Sequence, residues 1–124
     1  MTTSLAIALV GLEVARMDDF DYFAHSDIAS DFEIESDDKS INITYYANGD
    51  GTIRSVRLQY FIGLSPTWGF PYFKESEFIV KFGELMNLRY REMSEELERE
   101  QAEEEEYRNS PFQTTFNYYR EIYA

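Results

Sequence analysis

The stretch INITYYANGDGTIRSVRLQYFI, residues 41–62, constrains this chain more than any other. Ile41, Ile43 and Tyr45 fall on one face of an extended chain. Beyond the NGDG centre, Val56, Leu58, Tyr60 and Ile62 again share a face, with Ile53, Arg57 and Phe61 opposite. Period two is the mark of a strand with one buried side. Asn48, Gly49, Asp50 and Gly51 accept the positive φ that a tight reversal needs. The pattern therefore predicts an antiparallel hairpin. Upstream, DFEIES alternates in the same way, with Phe32 and Ile34 on one side, and SDDK supplies a turn. Three consecutive strands joined by short turns predict a meander.

NGDGTI also reads like the middle of a calcium loop. The helix-loop-helix kind takes oxygen ligands at positions one, three and five, Gly at six and a bidentate Glu at twelve. With Asp50 fifth and Gly51 sixth, Asn48 falls third. The first position is then Tyr46 and the twelfth is Arg57. A phenol replaces one carboxylate and a cation replaces the clamp, so the hairpin reading is preferred and no metal site is expected.

The elements around the meander read as helices. LAIALVGLEVA predicts a first helix from Leu5 to Met17 capped by Ser4, although so short an apolar run also admits a buried strand. From about Glu75, Phe78, Phe82, Leu85, Met86, Met93 and Leu97 recur at helical spacing. EREQAEEEEY prolongs this helix with strong helix formers after the apolar stripe stops. Helical through Glu106, it spans about 48 Å, and residues of roughly 98–109 form a solvent-projecting, Glu-rich end or linker. Between sheet and helix, GLSPTWGFPYF holds two Pro and two Gly, which forbid regular structure throughout. Ser110, Pro111 and Gln113 open a short final helix, with Phe116, Tyr119 and Tyr123 along one side. The whole is a single α+β domain over residues 1–124: a three-stranded meander on a long amphipathic helix, with a short helix at each end.

Composition narrows the function. Ten Phe and ten Tyr are ample for a packed core, and no Cys is present to form disulfides or thiolate metal sites. The chain fits a reducing, cytoplasmic setting. The first apolar run is too short for a membrane span, and MTTS lacks the positive charge of a secretory signal. Net charge is −13 and uneven: −9 over residues 1–50, +2 over 51–93 and −6 over 94–124. Nucleic acid and anionic membranes would repel such a chain, and basic protein surfaces would attract it.

Catalytic signatures are absent. His25 is the only histidine, which rules out a His pair for metal or acid–base work, and its sequence neighbours Ser26 and Asp27 do not make a triad. Phosphate-binding and nucleophile-elbow glycine motifs are missing as well. No catalytic residue, cofactor or metal is expected, and the chain is expected not to be an enzyme.

Three features point instead to binding a partner. Asp18, Asp19, Asp21, Asp27 and Asp31 are interleaved with aromatics. Glu95, Glu96, Glu103, Glu104, Glu105 and Glu106 crowd the late helix. Trp68, Phe70 and Tyr72 cluster in the Pro/Gly-rich loop. Each also has a plain alternative as a solvated face or as core. Together they suggest an acidic inhibitor or decoy that imitates nucleic-acid phosphates and occupies a basic surface, such as that of a nucleic-acid-binding enzyme, in the manner of phage-type anti-defence and immunity proteins. Steering charge would combine with aromatic anchors.

The order helix, meander, aromatic loop, helix over residues 5–97 also loosely resembles small acidic type III secretion chaperones. Those are dimers that wrap an unfolded partner, so the resemblance implies a chaperone or adaptor. Here REQAEEEEYRNSPF replaces the strand pair expected after their long helix. A third reading is self-assembly, including a homodimer, through Met86, Tyr90, Met93 and Leu97, spaced 4, 3 and 4 apart.

Overall fold

Thr2, two residues earlier than Ser4, opens the first element. In the computed structural model, its Oγ1 accepts the Leu5 amide at 3.1 Å, so α1 runs Thr3–Ala15. The first element is thus a helix, and Ser4 lies inside it. The structure describes residues 1–24 and 29–108. A 3₁₀ turn, Phe20–Phe23, follows. Then come β1 (Ser30–Ser36), β2 (Lys39–Ala47), β3 (Ile53–Ile62), β4 (Ser65–Thr67) and α2 (Glu75–Arg108). His25, Ser26, Asp27 and the expected final helix lie outside the described residues.

The sheet is antiparallel in the order β1-β2-β3-β4. The meander is as expected but has four strands rather than three. The additional strand is SPT, three residues whose short length accommodates Pro66 at the sheet edge. Register places Phe32 opposite Ile43 and Ile43 opposite Leu58; Ile34 faces Ile41, which faces Tyr60. These pairs build one apolar face, on which Ile34, Ile41, Ile43, Tyr45 and Tyr60 are buried. Ile62 shares their parity but ends the strand and is 43% exposed.

The contacts divide the chain into two units, Met1–Arg91 and Glu92–Ala124. In the first, helices cover the apolar sheet face. Phe82 is fully buried and meets the rings of Tyr45 at 5.4 Å and Phe32 at 5.8 Å. Phe78 and Met86, four residues to either side of it, are also fully buried. Ala6, Val10 and Val14 bury one side of α1. Two bonds tie α1 to α2: the Lys74 amide donates to Thr3 Oγ1 at 2.9 Å, and Arg89 Nε donates to the Met17 carbonyl at 2.7 Å. The second bond places a cation just past the C-terminal end of α1, where the helix dipole favours it. In the second unit α2 continues to Arg108. Met93 is buried there, but Leu97 is 44% exposed, so the buried stripe ends before it.

Candidate functional surface

The calcium-like stretch is a strand–turn–strand. Gly49 and Gly51 take φ of 86° and 88°. The Asn48 amide donates to the Thr52 carbonyl at 3.0 Å, and Asp50 Oδ1 accepts the Thr52 amide at 3.0 Å. The Thr52 hydroxyl and amide hold the Asp50 carboxyl below its usual range. Tyr46, at the would-be first ligand position, lies in β2 with the Arg54 guanidinium 4.9 Å from its ring centre. Arg57 lies in β3 opposite Thr44. Among the described residues no group of three or more Asp, Glu or His is placed to hold a metal ion.

The aromatic loop divides. Phe70, read from the sequence as a partner-facing anchor, is 7% exposed and belongs to the core instead. It packs edge-on against Tyr60 at 5.3 Å and Phe73 at 6.3 Å. Trp68 and Tyr72 point fully into solvent, as does Leu64 in the β3–β4 turn. Tyr72 holds φ 63°, a conformation that costs a bulky side chain about 1–3 kcal/mol. Phe70 thus fixes a loop that displays the two rings flanking it.

The acidic residues also sort by position. Asp19 caps the 3₁₀ turn, accepting the Asp21 amide at 2.8 Å. Asp18, Asp19 and Asp21 line a concavity of about 290 Å³ with Tyr22 and Ser30. Asp31 sits on the outer face of β1, away from the helices, and Asp27 lies outside the described residues. In the second unit Glu95, Glu96, Glu103, Glu104 and Glu105 are all exposed on α2; Glu106 is also in α2, and its side chain is outside the description.

Glu33, Glu35, Asp37 and Asp38 lie within the acidic-aromatic segment Asp18 to Asp38, but the sequence reading does not single them out as partner-binding residues. The signal was available: Asp31, Glu33 and Glu35 are two apart, so a strand must present them on one face. Register puts Asp31 in a row with Thr44 and Arg57, and Glu33 in a row with Asn42 and Gln59. The cation in the first row is two strands away, about 10 Å. Partial desolvation, and after it the neighbouring Glu35, raise the Glu33 carboxyl above its usual value. Glu33, Glu35, Asp37 and Asp38 line a second concavity of about 300 Å³, with Lys39, Ser40, Gly63 and Leu64. The Gly63 amide donates to the Asp38 carbonyl, which holds the two turns together.

Two buried phenols serve the core. Tyr45 donates to the Tyr22 carbonyl at 3.0 Å, and burial pushes its hydroxyl up to about 12. Tyr60 donates to Glu75 Oε2 at 2.7 Å; burial first, and Glu75 second, raise it too.

The fold is α+β, and among the described residues no helix is long and apolar enough to cross a membrane. No protein-family model, curated protein or solved structure matches the chain.

Proposed function

We propose that this protein is a non-enzymatic acidic inhibitor or decoy that occupies a basic surface of a nucleic-acid-binding protein. One observation carries the reading. Within the first unit, Asp31, Glu33, Glu35, Asp37 and Asp38 follow one another along the exposed face of β1 and its turn. None of them forms a salt bridge among the described residues. Asp31, Glu33 and Glu35, carboxylates at strand spacing, repel one another, a cost that a basic partner removes, while Asp37 and Asp38 in the turn also feel the Met1 ammonium. Trp68 and Tyr72 supply the large exposed rings that interface hot spots favour.

Exposed Leu64, Trp68 and Tyr72 also favour a second reading, an acidic chaperone or adaptor that grips apolar segments of an unfolded partner. Affinity capture from the source cells at two salt concentrations separates the two. A basic nucleic-acid-binding protein that elutes with salt supports the decoy. A partly unfolded secreted substrate that stays bound supports the chaperone. Self-association with no other partner contradicts both.

A further inference from the structure

β1 ends the sheet, and among the described residues no strand pairs with its outer edge. Its seven residues leave a row of backbone donors and acceptors unused by the sheet. Beside this edge lies a groove of about 320 Å³, lined by Leu9, Leu12 and Glu13 of α1, by Arg16 at its C-terminal cap and by Glu33, Ile34 and Glu35 of β1. Residues 33, 34 and 35 all line the groove, although their side chains leave the strand on alternate faces and Ile34 is buried. The groove therefore runs along the strand's edge rather than over either face.

We infer that this edge is a docking site for one extended basic segment of a partner protein, which adds to the sheet as a fifth strand beside β1. The inference rests on the acidic-binding reading above and specifies where and how the partner sits. Strand addition would satisfy the unused backbone groups. Alternate side chains of the added strand would then meet two different surroundings. Those on the helix side approach Leu12, which is 59% exposed, and Leu9. Those on the other side come level with Asp31, Glu33 and Glu35, where Lys or Arg is the complementary choice. The ideal occupant alternates apolar and basic residues.

Charge also excludes the simplest competitor, a second copy. Two β1 edges brought together would set Asp31, Glu33 and Glu35 against the same acids, the like-charge arrangement that guards natural sheet edges. Within the groove Arg16 is the lining cation, and it is held by Glu13 at 3.3 Å. Desolvation first, and the neighbouring Glu35 second, raise the Glu33 carboxyl above its usual value.

The test uses the full chain and two peptides matched to the length of β1. One alternates Lys and Val; the other has the same composition with all Lys before all Val. Calorimetry gives affinity at low salt, and amide hydrogen exchange reports residues 30–36. The expected result is tighter binding of the alternating peptide, by about tenfold, with new protection confined to β1 and the groove. Combined Glu33→Lys and Glu35→Lys should weaken it by about tenfold or more without lowering the melting temperature. Leu12→Ser, at the groove wall, should weaken it as well. Equal affinity for the two peptides, with no protection of β1, overturns the edge site and leaves the acidic-binding reading standing. Failure of both peptides to bind at low salt overturns both. Self-association that protects β1 without peptide would make the occupant a second copy and contradict the inference.

Discussion

Trp68 and Phe70 are two residues apart, and the loop treats them in opposite ways. Phe70 is 7% exposed beneath Tyr60 and Phe73, so Phe70→Ala should open a cavity and cost about 3–5 kcal/mol. Trp68 touches solvent on every side, so Trp68→Ala should change stability by no more than about 0.5 kcal/mol. Urea denaturation measures both, and equal losses would contradict the assignment of one ring to the core and one to the surface. Tyr45 offers a test by pH. Burial pushes its folded hydroxyl up to about 12, above the ordinary phenol value of about 10. A raised value means that the neutral phenol stabilises the fold. That contribution is complete below about pH 10 and is lost as pH rises through about 12. Tyr45→Phe should cost about 1 kcal/mol at neutral pH, because the Tyr22 carbonyl loses its donor. Its melting temperature should then fall less steeply than that of the unmodified protein above pH 10 or so. Tyr60, shifted in the same direction, leaves some alkaline sensitivity in place. Parallel profiles for the two proteins would refute the account of Tyr45.

The β2–β3 turn shows how far an element can be read from its residues. Asn48, Gly49, Asp50 and Gly51 announce a reversal, and the alternation on both sides fixes which face is buried. The sequence does not reveal that Tyr90 of α2 closes over this turn. A Cβ on Gly51 would lie 2.6 Å from Tyr90 Cδ1. Phe20 and Phe23 pack edge-on against the same ring at 5.7 and 5.4 Å. Gly51→Ala should therefore cost about 1–3 kcal/mol, from strain at φ 88° and from displacement of Tyr90. Unchanged thermal stability would show that the turn is not clamped. Calcium at millimolar concentration should leave the melting temperature unchanged. Micromolar calcium affinity, abolished by Asp50→Ala, would contradict the hairpin reading. Local pattern carried the meander and the helix because periodicity depends only on near neighbours. Three further features escaped it for physical reasons. SPT is too short to show a period. Phe70 and Trp68 differ by which one reaches Tyr60, a contact made across the sheet. The acids of β1 form a docking edge only because β1 ends the sheet, and strand order depends on the tertiary fold.

At the scale of the molecule, charge is the dominant property. The chain carries −13 in 124 residues, with exposed carboxylates in both units. Exposed charges act over about 8 Å at physiological salt, so they set the rate of encounter more than the lifetime of a complex. The exposed rings of Trp68 and Tyr72 would act on the lifetime. The most direct test is the association rate with a captured target, measured against salt for three proteins. These are the unmodified chain, a variant with Glu103, Glu104, Glu105 and Glu106 all changed to Lys, and Trp68→Ala. The account predicts a rate that falls steeply with salt and drops on charge reversal, with nucleic acid competing for the target; Trp68→Ala mainly speeds dissociation. Binding that ignores both salt and the four-fold reversal would contradict it, leaving the acidity a matter of solubility alone.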